Sequence, residues 1–127
     1  MSIEPTLDAA VVAANEAFYR AFNERDVGAM SALWATDDAV TCIHPHWNVL
    51  SGRKVVLESW RAILENPTQP KIVSAVERTT LRGEIAVVVG RELVAGHPIA
   101  VTNTFVRQDG AWKMLHHHAS PVATPES

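Results

Sequence analysis

The stretch Ala39-Val-Thr-Cys-Ile-His-Pro-His-Trp47 combines an alternating strand pattern with a cluster of imidazole and aromatic rings. Because side chains alternate across a strand, every second residue of a strand over residues 39–44 faces the same way. The residues predicted to share one face are Val40, Cys42 and His44. Pro45 lacks an amide hydrogen and is expected to end the strand. The stretch therefore predicts a small pocket where His44 faces inward and Trp47 forms a lid.

Two helices are predicted before this stretch. Apolar residues recur every three to four positions over residues 6–24, which indicates an amphipathic helix with Phe18 and Phe22 facing inward together. Asp26 is a good N-cap for a second, short helix over residues 27–33.

A third helix and four strands are predicted after it. Ser51 is expected to cap a helix that ends near Asn66 and points Trp60 into the same interior as Phe18. From residue 71 the hydrophobic period becomes two, which predicts strands at about 71–81, 84–94, 99–107 and 111–120. Three helices followed by an antiparallel meander indicate an α+β fold in a single domain, residues 1–127, with an ordered core at about 6–120 and a frayed tail at 121–127.

The last hairpin predicts which residues face the pocket. A loop at residues 108–111 pairs Arg107 with Trp112, Phe105 with Met114, Asn103 with His116 and Val101 with His118. The expected pocket face then carries Phe105, Asn103, Met114, His116 and His118. The opposite face carries Thr102, Thr104, Val106, Leu115 and His117, a mild surface suited to packing against another subunit. A slip of one residue would exchange the two sets.

Composition excludes several classes of function. The 127 residues contain 11 Lys and Arg against 14 Asp and Glu, and no basic run could follow a nucleic acid backbone. No apolar run is long enough for a membrane span, and no signal sequence is recognisable, so we expect a cytoplasmic protein without a membrane partner. The single cysteine, Cys42, excludes an internal disulfide and is predicted to be a buried, inert thiol.

The six histidines allow two kinds of chemistry. His44, His116 and His118 could converge on a zinc ion, but no Asp, Glu or Cys accompanies them at ligand spacing, so we predict no metal site. Acid–base chemistry is the better interpretation, because a histidine titrates near neutrality and enclosure beside an Asn or another His can tune it into a proton shuttle. A buried Asn103 would need a hydrogen-bond partner, such as His116 or a ligand carbonyl.

Four segments carry a resemblance to a known family. They are Phe18-Tyr-Arg-Ala-Phe-Asn-Glu-Arg-Asp26, Met30…Leu33-Trp34-Ala-Thr-Asp-Asp-Ala-Val40, His44-Pro45…Leu50-Ser-Gly52-Arg53…Trp60 and Asp109-Gly-Ala-Trp112-Lys-Met-Leu-His116-His-His118-Ala-Ser120. Together they resemble the SnoaL-like group of the nuclear transport factor 2 and ketosteroid isomerase superfamily over nearly the whole chain. The resemblance implies a cone-shaped α+β barrel, with three N-terminal helices packed on a strongly curved, mostly antiparallel sheet. It also implies one deep apolar pocket and a homodimer formed through the outer sheet face.

The ketosteroid isomerase branch of this superfamily uses an Asp base and an oxyanion hole made of a Tyr and a protonated Asp. Matched by motif, the base position falls on His44, the tyrosine position on Phe18 and the acid position at or next to Asn103. Phe18 has no hydroxyl group, so half of the oxyanion hole is absent. We therefore do not expect steroid isomerisation by that mechanism.

The resemblance and the residues together predict a protein that binds a small apolar or aromatic molecule. In the catalytic version, isomerase, cyclase or hydratase chemistry proceeds without a cofactor. His44 is the general base or acid, and Asn103 with His116 or His118 orients the ligand. The predicted pocket wall consists of Phe18, Phe22, Trp34, Trp47, Trp60, Phe105 and Met114. The alternative is a binding or association module without catalysis, because fold membership does not fix the reaction.

Overall fold

Three helices precede most of the strands, as predicted. The computed structural model describes residues 7–123. The helices are α1 (Leu7–Asn23), α2 (Val27–Leu33) and α3 (Arg53–Glu65), and the strands are β1 (Thr41–Ile43), β2 (Leu50–Ser51), β3 (Ile72–Arg82), β4 (Ile85–Val94), β5 (His97–Gln108) and β6 (Ala111–Pro121). Within this part of the chain, no helix is long and apolar enough to cross a membrane.

The strands form one sheet in the order β2-β1-β6-β5-β4-β3. All neighbours are antiparallel except β1 and β6, which run parallel. A bulge in β3 between Val76 and Arg78 lies beside Gly90, where a Cβ atom would collide with the carbonyl group of Ala75. Such a close backbone approach requires glycine and bends the sheet. The sheet curls around the helices without closing, which confirms the predicted α+β class.

The core lies between the helices and the concave face of the sheet. Phe18 and Phe22 are both buried on α1, and the Phe18 ring meets the edge of Trp60 with ring centroids 5.3 Å apart. Burial of each such side chain stabilises the fold by roughly 1.5 to 3 kcal/mol. The predicted inward positions of these three rings are therefore confirmed.

The N-terminus of α2 is capped as predicted, whereas that of α3 is capped by a residue that the sequence pattern did not indicate. Asp26 caps α2 as predicted, since its Oδ1 accepts a hydrogen bond of 3.0 Å from the Ala29 amide. The predicted Ser51 cap of α3 is wrong, because Ser51 pairs with Thr41 in β2. The side chain of Asp38 instead accepts a hydrogen bond of 3.2 Å from the amide of Arg53, the first residue of α3.

Arg25 fixes the segment that follows α3. Its guanidinium donates hydrogen bonds to the carbonyl oxygens of Leu64 at 3.2 Å, Pro67 at 3.3 Å and Gln69 at 2.7 Å, and also to that of Asn66. The carbonyl groups at a helix end lack partners within the helix, and a guanidinium with five donors satisfies several of them at once. This clamp positions Asn66 and Gln69, which line the cavity described below.

Strand β1 is shorter than the predicted strand at residues 39–44. It spans Thr41–Ile43, and its antiparallel partner β2 was absent from the prediction. The predicted alternation nevertheless holds. The three residues expected on one face are all buried, and they are Val40, Cys42 and His44.

The predicted register of the β5–β6 hairpin is right near the turn and wrong beyond it. Arg107 faces Trp112 and Phe105 faces Met114, as predicted. The register then shifts, because Leu115 is an extra residue in β6 opposite the step between Thr104 and Phe105. Such a bulge exchanges the faces of every later residue in the strand.

As a result, three histidines lie on the face of the sheet opposite to the predicted one. Asn103 faces His117 instead of His116, and Val101 faces Ala119 instead of His118. His117 is buried on the concave face, whereas His116 is half-buried and His118 exposed on the outer face. The predicted inward positions of His116 and His118 are therefore wrong, and so is the predicted outward position of His117.

Both predicted chain ends fall partly outside the described residues. The predicted start of the first helix at residue 6 and residues 124–127 of the predicted tail lie outside residues 7–123. The first part of the predicted tail is paired, since Pro121 belongs to β6 and the Val122 amide donates a hydrogen bond of 3.1 Å to the Pro98 carbonyl oxygen.

Candidate active site

A cavity of about 610 Å³ lies between α3, the turn at residues 44–47 and the ends of strands β4, β5 and β6. This volume is typical of small-molecule sites, which span about 300 to 1,000 Å³. The polar side chains that line it are His44, His46, Asn66, Gln69, Glu92, His97 and His117. The aromatic lining residues are Phe22, Trp47 and Trp60. Among the residues that the structure describes, no Lys or Arg lines the cavity.

His44 is held by a hydrogen bond that fixes its proton. The distance between His44 Nε2 and Ser59 Oγ is 2.9 Å, and Ser59 donates its only hydroxyl hydrogen to the Val56 carbonyl oxygen at 2.6 Å. Ser59 must therefore accept the hydrogen of His44 Nε2. The neutral imidazole then carries its lone pair on Nδ1, the atom that can act as a base.

Aromatic rings surround His44 on two sides. A tight turn follows β1, in which the Trp47 amide donates a hydrogen bond of 2.9 Å to the His44 carbonyl oxygen. The Trp47 ring lies 4.8 Å from the His44 ring, and the Trp60 ring lies 4.5 Å from it. Trp60 is buried, whereas Trp47 is 47% exposed at the mouth of the cavity. The turn thus presents Trp47, the predicted lid, and the exposed His46 at the rim of the cavity.

Burial weakens the basicity of His44 and the acidity of its neighbour. Burial lowers the pKa of His44 to about 4, so the imidazole is neutral at physiological pH. The Cys42 sulfur lies 3.9 Å from Nδ1 and 3.7 Å from Nε2 of this ring. Burial raises the pKa of the Cys42 thiol to about 12, in line with the predicted inert thiol.

His117 and Asn103 form a buried pair behind His44. His117 Nδ1 lies 2.6 Å from Asn103 Oδ1, so Nδ1 carries the hydrogen and Nε2 the lone pair. The His117 and His44 rings lie 6.2 Å apart. Burial, followed by the neighbouring His44, lowers the pKa of His117 well below its ordinary value. The site therefore contains two neutral imidazoles.

A chain of hydrogen bonds continues from this pair to a carboxyl group. Asn103 Nδ2 donates to Asn15 Oδ1 at 2.8 Å and to the Tyr19 hydroxyl oxygen at 3.3 Å. The Tyr19 hydroxyl donates to Glu92 Oε2 at 2.5 Å. All four side chains are buried, and each has a partner, as buried polar groups require.

Glu92 is the acidic residue of the cavity, and the sequence pattern did not predict it there. It lies on β4, where Ala86, Val88, Gly90 and Glu92 occupy the buried alternate positions. A carboxylate in that alternating pattern was the available signal, since charged residues are rarely buried without a reason. Burial raises the pKa of Glu92, although the hydrogen bond from Tyr19 opposes the rise.

The predicted site residues divide into three groups. Those that line the cavity are His44, Phe22, Trp47 and Trp60. Those buried in the core without lining the cavity are Asn103, Phe18, Trp34, Phe105 and Met114. Those on the outer face are His116 and His118, because the bulge in β6 turns them away from the cavity. Asn103 is connected to the cavity through His117, which takes the place expected for His116, and through Tyr19 to Glu92.

The weaker zinc hypothesis required His44, His116 and His118 to converge. The bulge places His116 and His118 across the sheet from His44, and His116 Nδ1 instead lies 2.6 Å from Thr41 Oγ1. Across residues 7–123, no group of three or more His, Cys, Asp or Glu side chains could hold a metal ion.

Comparison with known proteins identifies the family. The model of the SnoaL-like domain matches residues 11–125, which is most of the chain. The chain belongs to the SnoaL-like family. This confirms the resemblance seen in the sequence. The SnoaL-like chain also shares its fold with a ketosteroid isomerase-like protein from Erwinia carotovora atroseptica, with a TM-score of 0.72 and 18% identity. The match covers 92% of this chain and 97% of that one.

Two solved structures are more similar in sequence to this SnoaL-like domain. One is a provisionally named dehydratase of the NTF2-like family from Streptomyces avermitilis, 33% identical with a TM-score of 0.81, covering 92% of this chain and 96% of that one. The other is a provisionally named calcium/calmodulin-dependent protein kinase type II association domain from Thiobacillus denitrificans, 31% identical with a TM-score of 0.81, covering 97% and 100%.

A curated relative contains a similar segment within a longer protein. The SnoaL-like chain is 31% identical over 113 residues to the F-box protein SKIP8 of Arabidopsis thaliana. The match covers 87% of this chain and 49% of that protein, so the chain spans about half the length of this relative.

Proposed function

We propose that this SnoaL-like domain binds a small, uncharged, largely apolar or aromatic carbonyl compound and moves protons on it without a cofactor. The observation that carries the proposal is His44, a neutral imidazole that lines the cavity and has its lone pair on Nδ1. A base must be unprotonated at the working pH and within reach of the substrate. Burial provides the first condition and the cavity the second.

The charge of the cavity favours an uncharged ligand. A carboxylate or phosphate ligand would meet, among the described lining residues, no Lys or Arg to balance its charge. Burial of an unpaired charge costs several kcal/mol. The aromatic walls formed by Trp47, Trp60 and Phe22 suit a planar apolar ligand.

The reaction class follows from a weak base beside a carbonyl group. His44 would remove a proton from the carbon next to the carbonyl, and the electron pair of that C–H bond would form the C=C bond of an enolate. Isomerases, cyclases and dehydratases share this step, and the name of the similar Streptomyces avermitilis protein includes a dehydratase. A suitable probe is 2-tetralone, an uncharged bicyclic ketone whose adjacent ring acidifies its α-hydrogens. Its planar enol analogue is 2-naphthol.

Binding to the cavity can be tested by filling its mouth. Ala62 is exposed on α3 and lines the cavity, so Ala62→Trp is expected to lower the affinity for 2-naphthol at least about tenfold without unfolding the protein. The affinity is measured by titration in two-dimensional NMR spectra. The control is Arg61→Trp on the same helix, whose exposed ion pair with Glu65 contributes little. Equal affinities for both variants would contradict binding in this cavity.

The outer face of the sheet supports a second function, association with another copy of the chain. Val73, Val89 and Leu93 are exposed there, beside Thr102 and Thr104. Exposed apolar side chains clustered on one face mark interaction surfaces. The name of the similar Thiobacillus denitrificans protein describes an association domain. We therefore propose a homodimer through this face, and a cytoplasmic location stays a prediction.

Sedimentation tests this association. The unmodified chain is expected to sediment as a dimer, and Val89→Glu is expected to shift it to a monomer, because a charge in an apolar interface is left without a partner. Val55→Glu on α3 is the control, since Val55 is equally exposed away from the sheet. A monomer at high concentration, or a dimer unaffected by Val89→Glu, would refute the proposed interface.

A further inference from the structure

Glu92 presents one carboxyl oxygen to the Tyr19 hydroxyl and the other to the cavity. Oε2 accepts the hydrogen bond from Tyr19. Oε1 has no hydrogen-bond partner among residues 7–123. It is also not fully enclosed, so it keeps some exposed surface. Glu92 lines the cavity and is otherwise buried, so the small surface that Oε1 keeps is assigned to the cavity. A ligand is therefore the partner that Oε1 can meet.

The surroundings of Glu92 favour its protonated form. Tyr19 on α1, which contacts Glu92, and the cavity residues His117 on β6 and His44 are neutral in the folded protein, and the other titratable side chains that line the cavity are His46 and His97. No described Lys or Arg forms an ion pair with Glu92. Burial raises its pKa. Because Oε2 already accepts from Tyr19, the proton of the acid resides on Oε1, the atom that faces the cavity.

Asn103 keeps this proton separate from the imidazoles. Its amide joins His117 to Tyr19 by accepting from His117 and donating to Tyr19. An amide has no readily lost proton in this range of pH, so it cannot pass one from the acid to the base. The two ends of the network thus hold opposite roles, with a proton donor at Glu92 and lone pairs at His117 and His44.

We propose that Glu92 is the proton donor of the site and protonates the carbonyl oxygen of the ligand while His44 removes the α-hydrogen. This inference rests on the proposed function. In the step, the C–H electron pair becomes the C=C bond of the enol, and the carbonyl π pair takes the proton from Glu92 Oε1. His44 becomes an imidazolium and Glu92 a carboxylate. The reverse transfers restore both groups after the ketone reforms.

The test compares exchange of the α-hydrogens of 2-tetralone in heavy water for the unmodified protein, Glu92→Gln and Glu92→Asp. Glutamine keeps the size of the side chain and an oxygen for Tyr19 but cannot give up a proton. We expect Glu92→Gln to slow exchange by about 100-fold or more, and Glu92→Asp to recover part of it. The alkaline limb of the pH profile, where Glu92 ionises, should vanish in Glu92→Gln. Affinity for 2-naphthol should change less than about threefold, because the glutamine amide still donates a hydrogen bond.

A second measurement needs no variant. The ¹³C signal of the Glu92 carboxyl group should titrate at a higher pH than an ordinary Glu, and 2-naphthol should shift that titration because its hydroxyl meets Oε1. Exchange in Glu92→Gln within twofold of the unmodified protein would overturn the inference and leave the proposed function standing. A titration of Glu92 unaffected by bound 2-naphthol would overturn it equally. No exchange by the unmodified protein would overturn both.

Discussion

Replacing His44 by glutamine is expected to slow the exchange of the α-hydrogens of 2-tetralone by about 10²- to 10⁴-fold, the usual contribution of a general base. Glutamine can still donate to Ser59 Oγ, so the α3 contact that holds the side chain is kept. It offers no basic nitrogen to the cavity. The rate is followed by the loss of the α-hydrogen signals in ¹H NMR spectra.

The matched control is His118→Gln, which changes the same residue type on the opposite face of the sheet. His118 is exposed there, so exchange should stay within about twofold of the unmodified rate. The unmodified rate should fall as the pH drops through about 4, because protonation of His44 removes the lone pair. Equal rates for His44→Gln and the unmodified protein would refute His44 as the base.

Replacing Asn103 by leucine is expected to lower the free energy of unfolding by about 3 kcal/mol or more. Leucine fills a similar volume but leaves the His117 Nδ1 hydrogen and Asn15 Oδ1 buried without partners. Each unsatisfied buried group costs roughly 1 to 3 kcal/mol. Tyr19 keeps its hydrogen bond to Glu92, so the loss should fall on the His117 end of the network. Denaturant unfolding measures the difference.

The control for this change is Thr104→Val at the next position of β5. Thr104 faces away from the core, and the expected change in the free energy of unfolding is within about 0.5 kcal/mol. If Asn103→Leu were as mild as Thr104→Val, the buried network would not be a source of stability. That contradiction would be seen as an Asn103→Leu variant whose denaturant unfolding has the same midpoint and slope as that of the unmodified protein.

The sequence predicts the helices and the position of His44 because both depend on local periodicity. The spacing of Phe18 and Phe22 sets the buried face of α1, and alternation from Val40 to His44 sets that of β1. The resemblance adds the curled sheet, which no local pattern reports. The Ser51 cap fails for the opposite reason, because Asp38 comes from a segment that only the tertiary fold brings to α3.

The candidate site is predicted less well, since it depends on one bulge and on long-range contacts. The extra residue Leu115 shifts β6 and replaces His116 by His117 beside Asn103. Alternation cannot locate a bulge, because the pattern on each side of it is equally regular. Glu92 requires knowledge that α1 brings Tyr19 against β4 across 73 residues of sequence. Burial of that carboxyl group is therefore a property of the fold.

The most direct test of the proposed chemistry is incorporation of deuterium into 2-tetralone by the unmodified protein in heavy water, measured by mass spectrometry with 2-naphthol as inhibitor. Our proposal predicts incorporation at the α-carbon at least about 100-fold faster than in buffer alone, suppressed by 2-naphthol. Incorporation at the buffer rate, while NMR spectra place 2-naphthol in the cavity beside His44, would contradict it. The cavity would then be a binding site without catalysis.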